Sequence, residues 1–232
     1  AQVIWAPVLG YKRFVDNPRL SRHIVDLDEY YRDVAEGTLP AVSYIVPSGD
    51  SEHPPGRVQA GERLVQALVA QLMRSSSWDS SAFFWTYDDW GGWYDHVRPP
   101  QVDKWGYGFR VPALLVSPYA RRGYVGHETS DFASILAFIE HNWNLRPMAT
   151  RDAVANDLTE VFDFAAPPRD PVLLSASRTP PVRPPKVDAR PVYALYSIVL
   201  TGTAGAILFA LRRSRRPLSQ RGATARPTGV TS

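Results

Sequence analysis

Cysteine is absent from the 232 residues of this sequence. Disulfide bonds and thiolate metal sites are therefore excluded. A chain without thiols is compatible with an oxidising exterior, and this absence says nothing more about the compartment. Internal repeats are also absent, which excludes the repeat architectures.

Acidic residues are absent after Asp188, and the arginines beyond that point account for the basic balance of the chain. The formal net charge is +3, and six arginines of the carboxyl-terminal tail leave −3 for all residues before Arg212. A folded region of negative net charge lacks the electrostatic attraction that nucleic-acid binding requires. We therefore predict no nucleic-acid partner. The six tail residues are Arg212, Arg213, Arg215, Arg216, Arg221 and Arg226.

Charged residues are also absent between Val192 and Leu211, where the sequence reads VYALYSIVLTGTAGAILFAL. A helix of this length, at about 1.5 Å per residue, crosses the hydrocarbon layer of about 30 Å. We predict a single transmembrane helix here. The alternative is a buried helix of a soluble domain, which the Pro-rich segment before it and the Arg-rich segment after it disfavour.

These features divide the chain into four parts. We predict a folded domain over residues 1–164, a Pro-rich linker over 165–191, the transmembrane helix over 192–211 and a basic, disordered tail over 212–232. Positive charge beside a span favours the cytoplasmic side, so the tail is expected in the cytoplasm and the domain outside the cell membrane.

The amino end has neither the basic region nor the apolar region of a signal peptide. A domain outside the membrane needs a route across it. Either a signal peptide has been removed, or the chain is the carboxyl part of a longer protein. We favour the second interpretation because of the site described next.

Apolar spacing predicts the elements of an α/β domain. Strand, helix and strand follow one another in its first part, which predicts a right-handed βαβ unit with both strand ends at one sheet edge. The loops that carry His53 and Asp88 are then expected to meet. The predicted helices are Asp28–Glu36 ended by Gly37, Gln59–Ser75, Asp131–Trp143 capped by Ser130 or Asp131, and Thr150–Leu158. The predicted strands are Ala41–Val46, Ser81–Tyr87 and Val111–Ser117, the last beginning late because of Pro112.

The apolar stretch that begins at Phe83 leads into adjacent acids, a glycine pair, and then Asp95 beside His96. Neighbouring side chains of a strand point to opposite faces, so Asp88 and Asp89 can bind one ligand only in a turn, which glycines permit. Carboxylates and imidazoles at a strand end predict a metal site. The alternative is a solvated turn whose acids accept local backbone hydrogen bonds.

Several segments, taken in order, resemble the carboxyl-terminal part of the bacterial phosphoesterase family. That family contains phospholipases C and acid phosphatases whose fold is related to alkaline phosphatase. The resemblance covers Tyr11 to Phe164 and implies part of a three-layer sandwich with a mixed sheet, and hydrolysis of phosphate esters, phospholipids included. The segments are GTLPAVSYIVP, SEHPP, the helix before Trp78, TYDDWGGWYDHVRPP, GFRVPALLVSPYAR, DFASILAFIEHNWNL, RDAVANDL and FDF.

The resemblance also implies roles for single residues. Asp88 and Asp89 match the family's acids that bind a divalent metal ion at the active site. His53 matches the histidine at the phosphate, and its imidazole, like that of His96, could ligate metal, bind phosphate or protonate the leaving oxygen. Asp95 belongs to the same region.

We expect His53 and His96 to be catalytic, and Asp95 and Trp90 to bind substrate. For His53 the alternative is an ordinary loop histidine, and for Asp95 and His96 a structural role. Trp90 and the neighbouring aromatic residues could bind a choline-like headgroup through cation–π contact, or serve only for packing.

The sequence departs from the family in one respect. It contains neither the family's ENxSFD-like motif, whose Glu and Asn complete the metal site, nor its central Ser or Thr. Two hypotheses follow. The intact gene product hydrolyses phosphate esters with a divalent metal ion, or the chain is an inactive, truncated, membrane-anchored binding module.

Overall fold

The computed structural model describes residues 6–46, 52–54, 56–174 and 188–214. The chain divides into two units, Ala1–Arg178 and Thr179–Ser232. The first unit is a mixed α/β region with helices around a small sheet, and the second carries one long helix.

The described elements are mostly helical. The helices are α1 (Lys12–Val15), α2 (Pro18–Ser21), α3 (Leu27–Glu36), α4 (Val58–Met73), α5 (Phe132–Asn142), α6 (Thr150–Val154) and α7 (Arg190–Ser214). The strands are β1 (Phe83–Thr86) and β2 (Ala113–Val116). Short 3₁₀ turns lie at Pro7–Gly10, Trp78–Ser80 and Thr159–Val161.

The predicted helices are confirmed, with small changes in their ends. Helix α3 ends at Gly37, whose φ of 71° lies in the left-handed region that glycine adopts without steric cost. Helix α5 resolves the choice of cap in favour of Asp131, which accepts from the Ser134 N–H while the Ser134 hydroxyl accepts from the Asp131 N–H. The last predicted helix is shorter and ends at Val154.

The two later strands are confirmed, but the predicted βαβ unit is wrong. Strands β1 and β2 pair antiparallel, with Phe83 opposite Val116 and Thr86 opposite Ala113. The segment Ala41–Val46 forms no strand. A strand requires a hydrogen-bonded neighbour, and no strand lies beside this segment among the described residues. The described sheet therefore has two strands, and its antiparallel pair alone does not make the expected three-layer sandwich.

The core of the first unit forms where α3 packs on α4. Tyr30 and Val34 of α3 and Leu68 of α4 are buried together. The Tyr30 hydroxyl donates to the Leu68 carbonyl oxygen at 3.0 Å, which satisfies the polar end of a buried ring. Burial raises the pKa of Tyr30 to about 12. Phe83 at the start of β1 packs against the same cluster, so the core fixes β1 relative to α4.

A second cluster of aromatic rings joins the sheet to the end of the domain. Phe162 stacks on Phe138 of α5 at 5.0 Å between ring centroids and on Phe164 at 4.8 Å. Phe84 of β1 meets Phe138 edge-on at 5.5 Å. Through Phe162, the FDF triplet thus packs against both β1 and α5.

The predicted linker begins with residues that contact the domain. Arg169 Nε donates to the Pro118 carbonyl oxygen at 3.0 Å, and Trp78 Nε1 donates to the Arg169 carbonyl oxygen at 2.8 Å. Residues 175–187, the rest of that linker up to Asp188, lie outside the described residues. The boundary at 164 stays a prediction.

The second unit contains α7, whose stretch Arg190–Arg213 is apolar and long enough to cross a bilayer. The helix extends beyond the predicted span at both ends, and Arg212 and Arg213 form part of its last turn. Both arginines were predicted to lie in the tail. The remaining tail residues, 215–232, lie outside the described part of the chain.

Leu68→Ala tests the contact between α3 and α4. Removing a buried leucine side chain should lower the free energy of unfolding by about 2–5 kcal/mol. Leu174→Ala is the matched control, because that side chain is exposed and its loss should cost less than about 0.5 kcal/mol. Chemical denaturation followed by circular dichroism measures both values, and equal losses would contradict this description of the core.

Candidate functional site

The turn after β1 carries the predicted metal ligands. Asp88 and Asp89 follow directly after Tyr87 and are both exposed. Gly91 and Gly92 have φ values of 60° and 81°, which β-carbon-bearing residues adopt only with strain. The chain therefore turns where the sequence predicted it would. The Gly91 N–H donates to Asp89 Oδ1 at 2.6 Å, which is the local contact of the alternative, solvated-turn interpretation.

The loop of His53 lies against this turn. The Tyr87 hydroxyl donates to Glu52 Oε2, and this hydrogen bond joins the residue before His53 to the residue before Asp88. It raises the pKa of Tyr87 to about 12, chiefly because the carboxylate stabilises the protonated phenol. The residues that precede His53 and Asp88 are thus in contact through their side chains, and not through parallel strand ends.

The position of His53 indicates which of its ring nitrogens carries a hydrogen. Its Nδ1 lies 2.8 Å from the Pro54 carbonyl oxygen. A carbonyl oxygen can only accept, so Nδ1 must carry a hydrogen for this contact to be a hydrogen bond.

Asp95 is held by an arginine across the loop. Arg110 Nε lies 2.7 Å from Asp95 Oδ2 and its Nη2 lies 3.0 Å from Oδ1, and the Val97 N–H also donates to Oδ1 at 3.1 Å. These donors, Arg110 first, hold the pKa of Asp95 well below its usual range. Asp95 therefore orders the loop, and substrate binding by it stays a prediction.

His96 is exposed and makes no hydrogen bond with Asp95. Its side chain is 85% exposed, and its Nδ1 lies 3.7 Å from Asp95 Oδ1, beyond hydrogen-bonding distance. The structure brings His96 next to Asp95 only through their sequence adjacency. A catalytic role for His96 stays a prediction.

Trp90 and Asp95 line an open groove of about 620 Å³ beside the turn. Trp90 and Tyr94 both meet Phe109 edge-on, at 5.4 and 5.7 Å between ring centroids. Trp93 also lines the groove and is 67% exposed. The groove thus has aromatic walls and one neutralised ion pair, a surface that suits an amphipathic ligand.

The carboxylates of Asp88 and Asp89 have the chemistry that hard divalent cations prefer. Among residues 6–46, 52–54, 56–174 and 188–214, however, no three acidic or imidazole side chains come together as a complete metal site. The described residues thus fit a metal ion as part of a ligand set. Further ligands would have to come from outside this set.

Sequence reasoning assigned no role to Glu52 and Tyr87, although both lie within quoted motifs. Their spacing of 35 residues gives no local signal, because a hydrogen bond between distant loops depends on how α4 and β1 pack. The sequence offered one indication of their role: Glu52 directly precedes His53, and Tyr87 directly precedes Asp88. A further histidine, His141, is mostly exposed, and its Nδ1 lies 2.5 Å from Asp157 Oδ2.

Comparison with known proteins identifies relatives of this region. The model of the phosphoesterase family matches residues 9–146, which is more than half of the chain. The chain is 36% identical over 175 residues to a non-hemolytic phospholipase C of Burkholderia pseudomallei, covering 60% of this chain and 25% of the relative. It is 34% identical over 169 residues to phospholipase C B of Mycobacterium tuberculosis, covering 60% of this chain and 32% of the relative.

A plant protein is similar as well. The non-specific phospholipase C6 of Arabidopsis thaliana is 29% identical over 218 residues, covering 76% of this chain and 42% of the relative. The chain thus spans between a quarter and about two fifths of the length of the curated relatives it matches.

Arg110→Ala tests the ion pair through its pH dependence. The pKa of Asp95 is lowered by folding, so its ionised form stabilises the protein above the unfolded-state pKa of about 3.9, and this contribution is lost as the pH falls through the lower folded value. The variant should therefore be less stable than wild type at pH 7, with the difference shrinking below about pH 4. Urea denaturation across this range measures the difference.

Arg98→Ala is the matched control, because Arg98 is an exposed arginine of the same loop that makes no ion pair with any described residue. It should leave stability unchanged at every pH. A constant difference for Arg110→Ala between pH 7 and pH 3, or an equal effect of both variants, would show that the ion pair does not stabilise the loop.

Proposed function

This chain belongs to the phosphoesterase family, and on that premise we propose that it supplies part of the active site of an enzyme that hydrolyses phosphate esters, phospholipids included. In this proposal a divalent metal ion is held in part by Asp88 and Asp89. The single observation that supports it is the hydrogen bond from Tyr87 to Glu52, which joins the residue before His53 to the residue before Asp88.

The chemistry of the reaction explains why carboxylates and an imidazole would stand together. Cleavage of a phosphate ester spreads negative charge over the phosphoryl oxygens, and a bound divalent cation would stabilise that charge. Asp88 and Asp89 are exposed and provide the negative charge that retains such a cation. The glycines after them keep the turn open to ligands.

His53 is proposed to protonate the leaving oxygen. Hydrolysis forms one bond from a water oxygen to phosphorus and breaks the ester bond, so the leaving oxygen must take up a proton. His53 Nε2 donates that proton in our proposal, since Nδ1 faces the Pro54 carbonyl oxygen. The proton released by the attacking water then restores the imidazole, and no further reactant is needed.

The groove and α7 support a lipid as the substrate. Trp90, Trp93 and Tyr94 offer aromatic faces beside the proposed site, and such rings bind quaternary ammonium headgroups by cation–π contact. The relatives from Burkholderia and Mycobacterium are phospholipases C by name. Helix α7 is proposed to cross the cell membrane once and to hold the domain near lipid, with the domain outside and the arginines at its end inside.

A second candidate function is a membrane-anchored binding module without turnover. One observation favours it: among the described residues, no three acidic or imidazole side chains come together as a metal site. Calorimetric titration of the 232-residue chain with Mg²⁺, Ca²⁺, Mn²⁺ or Zn²⁺ separates the two candidates. Saturable binding that Asp88→Asn abolishes supports the enzyme part, whereas no binding supports the inactive module.

Asp88→Asn and Asp89→Asn test the proposed metal ligands. The chain, expressed alone and together with any coding sequence that precedes it in its gene, is assayed for metal-dependent release of phosphate or phosphocholine. Loss of a direct ligand should lower kcat/KM by more than about 100-fold, since even residues that merely orient metal ligands contribute about 10- to 100-fold.

Asp79→Asn is the control for this assay, because Asp79 is an exposed acid in the 3₁₀ turn before β1 and lies outside the proposed site. It should retain full activity. Wild-type activity in both Asp88→Asn and Asp89→Asn would refute the assignment of the metal ligands.

Leu200→Arg combined with Thr203→Arg tests the membrane span. Each arginine near the middle of a transmembrane helix costs about 2.5–3.5 kcal/mol of insertion free energy, so the variant should fail to float with phosphatidylcholine vesicles. Leu174→Arg places one arginine outside α7 and should float as wild type does. Flotation of the double variant would show that α7 does not span the bilayer.

The absence of cysteine allows a clean test of orientation. Glu128→Cys introduces one thiol on the exposed surface of the domain, and Ser232→Cys introduces one at the carboxyl end. A membrane-impermeant maleimide added to intact cells should label Glu128→Cys alone. Labelling of Ser232→Cys alone would reverse the proposed orientation.

A further inference from the structure

A glycine in the first turn of α4 marks a contact that the proposed reaction does not explain. Gly61 is buried, and a β-carbon placed there would lie 2.1 Å from Glu52 Oε1 and 2.5 Å from Glu52 Cγ. These distances are far below van der Waals contact. Glycine is the second-poorest helix former after proline, and here it leaves room for a side chain from outside the helix. The Glu52 side chain occupies that room, so a larger residue at position 61 requires Glu52 to move.

The same Glu52 side chain reaches the turn after β1. Its Oε2 accepts from the Tyr87 hydroxyl, and Tyr87 packs edge-on against Trp85 of β1 with 5.2 Å between ring centroids. Tyr87 is therefore oriented by the strand on one side and by the carboxylate on the other. The Glu52 side chain therefore contacts both Gly61 of α4 and Tyr87, the residue before the Asp88–Asp89 turn.

We propose that Gly61, Glu52 and Tyr87 form a positioning latch that sets the His53 loop against the Asp88–Asp89 turn. The latch is these three residues and their two contacts, the packing of Glu52 on Gly61 and the hydrogen bond of Glu52 with Tyr87. This inference rests on the proposed function only in that His53, Asp88 and Asp89 are the groups that the latch positions.

The sequence positions of the latch residues explain why it can act on the site. Glu52 directly precedes His53, and Tyr87 directly precedes Asp88. Consecutive Cα atoms are about 3.8 Å apart, so fixing the first residue of each pair restricts the second. The described residues 52–54 lie outside any helix or strand. Tyr87 lines the aromatic groove, whereas Gly61 and Glu52 are not among its lining residues, so the role proposed for Gly61 and Glu52 is one of positioning.

A latch and a purely structural contact predict different kinetic effects. A contact that only stabilises the fold lowers the amount of folded protein and leaves the kinetic constants of the folded fraction unchanged. A misplaced proton donor lowers kcat, because a displacement of about 1 Å at a reacting group can cost up to about 100-fold in rate. Gly61 and Glu52 are not among the residues that line the aromatic groove, so Gly61→Ala and Glu52→Ala should leave KM near its wild-type value.

The experiment compares four variants of the complete chain. Gly61→Ala forces the Glu52 side chain off the helix, Tyr87→Phe removes the donor, Glu52→Ala removes the acceptor, and Glu52→Gln keeps an acceptor oxygen. Matched controls are Gln66→Ala on the exposed face of α4, Tyr44→Phe at an exposed tyrosine, and Glu62→Ala beside Gly61. Each is measured by NMR of the His53 imidazole and of the Asp88 and Asp89 amides, and by kcat and KM where wild type turns over.

The latch predicts that Gly61→Ala, Tyr87→Phe and Glu52→Ala shift the His53, Asp88 and Asp89 signals together and lower kcat by about 10- to 100-fold. Glu52→Gln and all three controls should retain wild-type signals and rates. Glu52→Ala should also bring the pKa of Tyr87 down from about 12 toward its ordinary value, as measured by ¹³C NMR of the phenol carbon.

A double-variant cycle gives the sharpest result. If Gly61 matters only because Glu52 lies on it, then Gly61→Ala has no further effect on signals or rate once Glu52 is alanine. Equal effects of Gly61→Ala in the two backgrounds would overturn the proposal. Unchanged signals in Gly61→Ala and Tyr87→Phe, or a Glu52→Gln variant that behaves as Glu52→Ala does, would overturn it as well.

The NMR measurements separate failure of the latch from failure of the proposed function. If wild type turns over no phosphate ester, either alone or together with any coding sequence that precedes it in its gene, the proposed function is refuted, while the His53 and Asp88 signals still decide whether the latch exists. If wild type is active and the variants leave the signals unchanged, the latch alone is refuted.

Discussion

The candidate site depends on one hydrogen bond, in which the Tyr87 hydroxyl donates to the Glu52 carboxylate. It joins two loops that are 35 residues apart and share no strand pairing. The helix between them, α4, is held by the buried contact of Leu68 with α3, and β1 is held on the same cluster through Phe83. The hydrogen bond can therefore form only after both elements have packed. The site is a consequence of tertiary structure, and neither loop specifies it alone.

The antiparallel ribbon supplies the second half of the site. Because Thr86 at the end of β1 pairs with Ala113 at the start of β2, the loop that follows β1 and the loop that precedes β2 leave the sheet at the same end. The Thr86 hydroxyl donates to the Pro112 carbonyl oxygen at 3.0 Å, and Arg110 binds Asp95 across the gap. The two loops are thereby closed into one groove beside the acid turn. A parallel arrangement would have separated these loops.

Sequence reasoning succeeded where local physics decides the outcome. Gly37, Asp131 and the spacing of apolar residues specify α3 and α5, since caps and helical periodicity act within a few residues. It failed at Ala41–Val46, whose apolar, β-branched composition fits a strand that finds no partner among the described residues; Tyr44 there is 89% exposed. The role of Gly61 could not be predicted from the sequence either. A glycine within a helical pattern looks like a weak position, and only the neighbouring Glu52 side chain explains it.

The number of metal ligands decides between the two candidate functions more directly than the fold does. Two carboxylates offer at most four oxygens, and hard cations such as Ca²⁺ and Mg²⁺ take about six to eight. The described residues bring no third acid or imidazole to Asp88 and Asp89, so the remaining positions must be filled by water, by substrate phosphate or by ligands outside the described set. Water and phosphate would give weak, substrate-dependent binding. Further protein ligands would give tight binding in the absence of substrate, because a third carboxylate adds charge that water cannot replace. Metal affinity measured without substrate therefore reports how much of the site this chain supplies.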